Sequence, residues 1–369
     1  MTADFPSEVL LPQKVLFRKG AVLDFARETA DLGSRGLIVH GASLEKDGRR
    51  EQILASFPDR RSLAFFCRKG GEPTLDEVTE VIEIARGAGA EWIAGIGGGS
   101  VLDLAKAAAG LFCAKRPPVH YQEGGRLEEK GIPFVAVPTT AGTGSEATPN
   151  AVIINPDKKA KLSIREKSFM ACKILLDPDL LKGLPDAVMA CSAMDAWGQG
   201  YESFISKNAT WFTDVYALKS IELISRHLMT AIQTRSDETL AAILVGSYFA
   251  GVALAHARLG VIHGLAHPLG VLYHVPHGLV CSVCFVPSIQ LNREAMGRKY
   301  DTMSRTIGQD LEQKVCKMIA DLNLVSPFRG KPILEKEKMI EETLKSGSTA
   351  ANPKPIGRED VEFLLKELF

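Results

Sequence analysis

The arrangement of apolar residues changes near residue 180, and this change constrains the fold of the 369-residue chain. Before it, short apolar runs typical of buried strands alternate with stretches whose apolar residues recur at helical spacing. After it, the long periodic segments are helical. Strands that alternate with helices predict a mainly parallel sheet covered by helices. We therefore expect an α/β domain over residues 1–180 and an all-helical domain over residues 181–369. The predicted strands are 36–41, 91–97, 133–138, 151–154 and 173–177.

Composition narrows the class of protein. Apolar residues make up 46% of the chain and the formal net charge at pH 7 is zero. This balance argues against a nucleic-acid-binding protein, which carries a basic excess, and against disorder. The N-terminus shows no signal peptide, and the seven cysteines are scattered singly, as in reduced cytosolic proteins. We expect a cytoplasmic protein in which Cys281 and Cys284 pack in the core. The uncharged stretch 239–255 is interpreted as a buried helix rather than a membrane span.

A glycine-rich turn follows the second predicted strand. In "GIGGGSVLDLAK", Gly98, Gly99 and Ser100 stand between the strand and a helix. Successive glycines let the backbone approach a phosphate, and the helix N-terminus offers N–H groups and the positive end of its dipole. The spacing is not the GxGxxG fingerprint of dinucleotide-binding proteins, and a tight βα turn without a ligand explains it equally well.

A second loop rich in small residues, "PTTAGTGSE", follows the third predicted strand. Its hydroxyl groups belong to Thr139, Thr140, Thr143 and Ser145. Loops at the carboxyl ends of parallel strands line ligand crevices. Two such loops in one sheet predict a nucleotide site.

The turn after the first strand indicates which nucleotide binds. Gly41 and Ser43 follow the strand, and no acidic residue stands there. An acidic side chain would bind the ribose 2′-hydroxyl and repel a 2′-phosphate. Its absence favours NADP(H), with NAD(H) as the alternative. Ser43 and Lys46 are candidate partners of the 2′-phosphate, although Lys46 also fits a solvated surface charge.

Five of the eight histidines fall between residues 256 and 277. His263 and His267 are four residues apart and share a helical face, and Pro268 predicts a kink or helix end there. His277 follows in a Pro-His-Gly turn. Such clustering among apolar residues predicts a functional site. His256 and His274 are weaker candidates, either supporting groups or ordinary surface residues.

The segment "MDAWGQGYE" places Asp195, Gln199 and Glu202 on one helical face. Asp195 with His263 and His277 forms a two-histidine, one-carboxylate set, which suits ferrous iron. Gln199 offers only a neutral amide oxygen, a weaker ligand than imidazole. A helix without a metal role is the alternative, and Glu202 is expected to pack against or pair with a neighbour.

Five motifs in order along the chain resemble the iron-containing alcohol dehydrogenase family, which is related to glycerol dehydrogenase and dehydroquinate synthase. They are "GGGSVLDLAK", "PTTAGTGSE", "LLDPDLLKGLP", "MDAWGQGYE" and "GLAHPLG" with "PHG". The resemblance implies a Rossmann-like α/β dinucleotide-binding domain, an all-α C-terminal domain and a cleft between them, as in dehydroquinate synthase. It also implies one divalent ion, Fe²⁺ or Zn²⁺, bound by an aspartate and three histidines.

The resemblance also implies roles for individual residues. Asp195, His263 and His277 match metal ligands, and Gln199 stands where the family usually has its first histidine. His267 matches the histidine near the nicotinamide and is the predicted catalytic residue. Asn150 and Phe249 match positions near the substrate, and Gly41 stands where NAD-specific members carry aspartate. The implied cofactor-binding residues are Gly41, Ser43, Gly98, Gly99, Ser100, Asp103, Thr139, Thr140, Thr143, Ser145 and Lys161.

These features predict an enzyme that transfers hydride between NADP(H) and a small alcohol or carbonyl compound, with Fe²⁺ or alternatively Zn²⁺. Three alternatives stay open: a metal-independent reductase like maleylacetate reductase, a lyase like dehydroquinate synthase, and a nucleotide-binding protein without chemistry. No nucleic-acid or membrane partner is expected. We expect a homodimer or a higher homo-oligomer. The segment 14–20 is predicted as an edge strand that pairs between subunits.

Overall fold

The computed structural model describes residues 5–46, 48–57, 62–158 and 160–369. It divides into two compact units. The α/β unit comprises Leu10–Thr140 and Ser145–Gly183, and the helical unit comprises the residues up to Val9, Ala141–Gly144 and Leu184–Phe369. The change of unit after Gly183 lies close to the change of sequence pattern near residue 180.

The α/β unit contains a six-stranded parallel sheet in the order β1-β8-β5-β4-β2-β3. Its strands are β1 (Lys14–Phe17), β2 (Gly36–Gly41), β3 (Leu63–Arg68), β4 (Trp92–Gly97), β5 (Phe134–Pro138) and β8 (Lys173–Leu176). Its helices are α1 (Phe25–Thr29), α2 (Ser43–Lys46), α3 (Arg49–Ser56), α4 (Leu75–Gly87), α5 (Gly99–Gly110) and α6 (Pro118–Gln122). Trp92 packs edge-on against Phe25 in the core. The predicted parallel sheet with helical cover is confirmed.

One predicted strand lies outside the main sheet, and two strands of the structure were not predicted. The segment 151–154 belongs to β6 (Asn150–Asn155), which pairs antiparallel with β7 (Ala160–Arg165) outside the main sheet. In β6 buried and half-buried residues alternate, whereas β4 is buried throughout. The sequence did not predict β3, because this edge strand pairs only with β2 and is mostly half-buried. The strand β1 lies at an edge, as expected, and pairs with β8 of the same chain.

The helical unit contains nine α-helices among its described residues. They are α7 (Asp186–Ile205), α8 (Trp211–Thr234), α9 (Asp237–Ala257), α10 (Val261–Tyr273), α11 (His277–Met296), α12 (Arg298–Ile307), α13 (Leu311–Asp321), α14 (Lys336–Lys345) and α15 (Arg358–Leu368). Within the described part of the chain, α9 alone is long and apolar enough to cross a membrane, judged by length and composition. It packs against α7 and α8 through buried residues such as Leu240, Ile243 and Leu244, as the buried-helix interpretation expects.

Candidate metal and cofactor sites

Three helices of the helical unit bring four potential metal ligands together. They are Asp195 on α7, His263 on α10, and His277 and Cys281 on α11, and one donor atom of each lies within 4.8 Å of the others. His263 Nε2 is 3.1 Å from Asp195 Oδ1, and His277 Nε2 is 3.5 Å from Cys281 Sγ. Ligand atoms at tetrahedral corners, about 2.0–2.3 Å from an ion, are separated by about 3.3–3.8 Å. The cluster therefore fits a divalent metal ion with little rearrangement.

Glu202 holds the imidazole of His263 in a defined orientation. His263 Nδ1 lies 2.6 Å from Glu202 Oε2, and the backbone N–H of Ile262 donates to Glu202 Oε1 over 2.6 Å. The carboxylate is fully buried, and a Cβ atom at Gly260 would come within 2.8 Å of it. A carboxylate on Nδ1–H leaves Nε2 available for a metal ion. Glu202 thus pairs with a neighbour as expected, but its partners lie about sixty residues away, which local spacing does not reveal.

Gln199 follows Asp195 by one helical turn and is also buried, with 3% of its surface exposed. Among the described residues, no hydrogen-bond donor reaches its Oε1 atom. A buried carbonyl oxygen without a donor costs about 1–3 kcal/mol. An ion near Asp195 would remove that cost, so Gln199 fits the role of a weak metal ligand.

The charges at the cluster favour a cation. Burial opposes ionisation of Asp195, but the hydrogen bond from His263 and the charges of His277 and His263 lower its pKa to about 2. Burial also disfavours the charged form of His263, yet Cys281, Glu202 and Asp195 raise its pKa well above 6.5. Two buried carboxylates next to one imidazole leave net negative charge that a divalent ion would neutralise.

The remaining histidines lie outside the four-residue cluster. His267 is one turn beyond His263, and its ring stacks on that of His277 with centroids 5.1 Å apart. This position next to a potential ligand suits a proton-relay residue. His256 contacts the carbonyl oxygen of Val252 at 2.8 Å. His274 is exposed and ends α10 in a left-handed conformation. The helix α10 continues through Pro268 to Tyr273, so the helix does not end at Pro268.

Cys281 and Cys284 separate into two environments. Both are buried, as the core-packing interpretation expects, and each has 1% of its surface exposed. Cys281 nevertheless belongs to the donor cluster, and Cys284 does not. Cys281 is thus a core residue, as expected, and also a potential ligand, which the sequence analysis did not propose. The sequence shows no sign of this role, because it contains no second CxxC pair that would complete a four-cysteine metal site.

In the α/β unit, the two small-residue loops meet at the carboxyl ends of the adjacent strands β4 and β5. Thr139 N–H donates to Gly97 O over 2.9 Å, and a Cβ atom at Gly98 would lie 3.3 Å from the Thr140 side chain. A Cβ atom at Gly97 would lie only 2.5 Å from Val101 Cβ, so glycine is required there. The helix α5 begins at Gly99 and directs its first amides toward this edge. The loops form a backbone cradle that fits a phosphate group.

A buried lysine fixes the second loop. Lys106 Nζ donates to Ser145 O over 2.6 Å, to Thr148 Oγ1 over 3.2 Å and to Asn150 O over 2.8 Å. Ser145 Oγ donates to Asp103 Oδ1, and Asp103 Oδ2 accepts from the backbone N–H of Val152. Both predicted cofactor residues, Asp103 and Ser145, thus bond to protein groups. Sequence reasoning missed Lys106, although a lysine in the apolar run "LAKAAAGL" was a visible signal.

The other predicted cofactor residues are spread over both units. Gly41 ends β2 and Ser43 begins α2, and a Cβ atom at Gly41 would meet only ordinary contacts. Lys161, on β7, pairs with Glu72 over 2.9 Å. Thr143 belongs to the helical unit, because its glycine neighbours pack closely there. Cβ atoms at Gly142 and Gly144 would come within 2.7 Å of Ser192 and 2.5 Å of Gly251.

The two predicted substrate residues lie in different units. Asn150 begins β6 in the α/β unit, and its Oδ1 atom is buried without a hydrogen-bond partner among the described residues. Phe249, on α9, is half-buried and packs edge-on against Tyr216 with ring centroids 5.5 Å apart.

Comparisons with known proteins match both halves of the chain. The family model for iron-containing alcohol dehydrogenase matches residues 12–178, and the C-terminal model of the Fe-containing alcohol dehydrogenase family matches residues 189–369. The chain is 30% identical to lactaldehyde reductase from Escherichia coli (strain K12), over 83% of this chain and 81% of that protein. It is 29% identical to NAD-dependent methanol dehydrogenase from Bacillus methanolicus, over 82% and 80%.

A solved structure, the alcohol dehydrogenase from Oenococcus oeni, superimposes with a TM-score of 0.91 at 25% identity, covering 98% of this chain and 100% of that one. Both halves of the sequence, the fold and the donor cluster thus lead to the same assignment. The chain belongs to the iron-containing alcohol dehydrogenase family and is an oxidoreductase that acts on CH–OH groups.

Proposed function

We propose that this protein catalyses the reversible oxidation of a small alcohol to an aldehyde or ketone, with NADP(H) as the preferred cofactor and a divalent ion at the donor cluster. The observation that carries the proposal is the convergence of Asp195, His263 and His277 in the helical unit. The buried Gln199 Oε1 atom adds a weak neutral oxygen ligand.

When bound, the ion supplies a Lewis acid for the substrate oxygen, and the nicotinamide supplies the hydride exchange. Three residues of the chain support this chemistry by orienting a ligand, supplying a negative charge and moving a proton. Glu202 holds the Nδ1–H tautomer of His263, so that Nε2 faces Asp195. Asp195 is ionised at neutral pH, because its pKa is lowered to about 2. His267 moves a proton between the substrate oxygen and solvent, which its position beside His277 supports.

The preference for NADP(H) rests on the end of β2. Gly41 carries no carboxylate that would repel a 2′-phosphate, and the Ser43 hydroxyl follows at the start of α2. A relative, the methanol dehydrogenase of Bacillus methanolicus, is named as NAD-dependent. The ratio of kcat/KM for NADPH and NADH tests the preference. We expect Gly41→Asp to shift that ratio toward NADH, and an unchanged ratio would contradict this part of the proposal.

The function is tested by NADPH oxidation over a panel of small aldehydes and ketones, with chelated protein compared with protein given Fe²⁺ or Zn²⁺ anaerobically. We expect turnover only with metal. We expect His263→Ala to lose both metal and activity. His267→Ala should retain metal and lose about 10²–10⁴-fold in kcat. Full activity of His263→Ala would overturn the metal assignment.

Gln199 motivates one alternative, a reductase that works without metal. Turnover that is indifferent to chelation would favour it. Net consumption of NADPH would exclude a lyase, because a lyase returns its hydride to the reaction intermediate.

A further inference from the structure

The donor cluster contains a thiol that the metal-binding motifs in the sequence do not include. Gln199 supplies only a neutral amide oxygen next to Asp195, whereas Cys281 Sγ lies within 4.8 Å of donor atoms of Asp195, His263 and His277. We propose that Cys281 is the fourth strong ligand of this metal site and that its thiolate makes the site prefer Zn²⁺ to Fe²⁺. The inference rests on the proposed function only in requiring a divalent ion at this cluster.

The backbone of α11 explains how the thiol reaches the site. Cys281 follows His277 by four residues, so both side chains lie on one helical face. Their donor atoms, Sγ and Nε2, are 3.5 Å apart, close to the separation of two ligands on one ion. A Cβ atom at Gly278 would lie 2.5 Å from the carbonyl oxygen of Cys191. Because glycine permits this close approach, the first turn of α11 lies directly against α7, which carries Asp195.

The chemistry of the donor set favours zinc. On binding, the Sγ–H bond of Cys281 breaks, an Sγ–metal bond forms, and the proton leaves to solvent. The thiolate and the Asp195 carboxylate then provide two negative charges against the two positive charges of the ion. Thiolate and imidazole together suit Zn²⁺, which also binds more tightly than Fe²⁺ to a given set of ligands. Four protein ligands leave room for substrate oxygen if the ion becomes five-coordinate.

Burial alone does not make a cysteine a ligand, and the chain offers matched controls. Cys284 lies on the same helix, is equally buried and stands outside the cluster. Cys67 lies in a second group of potential ligands, with His40 and Glu45 in the α/β unit. Serine substitutions at Cys284 and Cys67 therefore separate the effect of this position from a general effect of losing a thiol.

The test is an anaerobic titration of the chelated full-length chain with Co²⁺, followed by absorption and without substrate. Thiolate bound to Co²⁺ gives a charge-transfer band in the near ultraviolet, which oxygen and nitrogen ligands do not give. We expect the band in the unsubstituted protein, in Cys284→Ser and in Cys67→Ser, and its loss in Cys281→Ser. Cys281→Ser should still bind Co²⁺, with affinity lowered by more than about 10-fold. If Cys281→Ser does not fold by circular dichroism, Cys281→Ala is the second variant.

A competition between equal amounts of Zn²⁺ and Fe²⁺, with metal content as the readout, tests the selectivity. We expect zinc to predominate in the unsubstituted protein and its excess to shrink in Cys281→Ser. Co²⁺ bound without the near-ultraviolet band, or a band that persists in Cys281→Ser, would overturn the role of Cys281 and leave the proposed function intact. If the unsubstituted protein binds no Co²⁺, the metal-dependent part of the proposed function falls as well.

Discussion

Each unit contains a buried network of charged side chains. The two networks consist of similar groups but differ in how those groups are paired. In the α/β unit, the ammonium group of Lys106 donates to oxygens of Ser145, Thr148 and Asn150 and lies 3.6 Å from Asp103 Oδ1. In the helical unit, His263 lies between Glu202 and Asp195. There the donor atoms face one another at distances that suit an ion between them.

The difference distinguishes a buried polar network that supports the fold from one that binds a ligand. A network whose donors and acceptors satisfy one another holds the backbone in place. In the helical unit, potential ligand atoms of four residues lie within 4.8 Å of one another, and the Gln199 Oε1 atom, one turn beyond Asp195, is buried without a donor among the described residues; both features favour a bound cation. We therefore expect changes in the Lys106 network to affect stability and changes in the His263 network to affect metal binding.

The largest effect is expected from Lys106→Met, which removes the ammonium group and leaves its oxygen partners buried. Lys106 pairs with Asp103, 3.6 Å away. The free energy of unfolding, measured with urea, should fall by about 3–5 kcal/mol, as when one partner of a buried ion pair is lost. The exposed Lys115 is the matched control, and Lys115→Met should cost less than about 1 kcal/mol. Equal costs for the two variants would refute the structural role of Lys106.

The pH dependence of stability comes next. Burial raises the pKa of Glu146 from 4.5 to about 7, so the folded state holds its proton more tightly than the unfolded state. This contribution is complete below pH 4.5 and is lost as the pH rises to about 7, a loss of the order of 3 kcal/mol. Glu146→Gln should remove that slope in urea unfolding between pH 4.5 and about pH 7. A slope that survives in Glu146→Gln would show that other groups cause it.

The same urea series reports on Lys106 at higher pH. Burial lowers its pKa from 10.5 to about 8, so the unfolded state binds the proton more tightly. Its contribution to stability should therefore rise as the pH increases from about 8 to 10.5.

In the helical unit, Glu202→Gln should weaken metal binding by about 10–100-fold, because His263 loses the carboxylate that orients it. Competition with a chromogenic chelator measures the effect. The exposed Glu341 provides the control, and Glu341→Gln should leave the affinity unchanged. If Glu202→Gln matches that control, the carboxylate does not support the metal site.

The smallest effect is expected from Gln199→Ala, because a neutral amide oxygen is a weak ligand. Its metal affinity should fall by less than tenfold, below the range for Glu202→Gln. A larger loss would make Gln199 a principal ligand and reduce the importance of Cys281.

The sequence predicted the backbone framework better than the side-chain networks. The strands β2, β4, β5 and β8 are buried over all or nearly all of their length and appear in the sequence as continuous apolar runs, and the glycine turn before α5 was also visible. The strands β3 and β7 were missed and β6 was misplaced, because they are only partly buried and their apolar signal is weaker.

The donor residues were identified from their types and the family resemblance, but their supporting contacts were not. Glu202 reaches His263 across sixty-one residues, and Lys106 reaches Asn150 across forty-four. No local spacing predicts such pairs. Cys281 shows the same limit: its isolated CxxC spacing suggested packing, and only the three-dimensional arrangement shows it next to His277.

The position of β1 has a consequence for synthesis of the chain. Lys14 to Phe17 pair with Lys173 to Leu176, so during synthesis this strand must wait for a partner that is made much later. At about 5–20 residues per second, that wait is roughly 10–30 s. During this time the short strand has no partner in the sheet, and we expect the positive charges of Lys14, Arg18 and Lys19 to disfavour its pairing with other nascent chains.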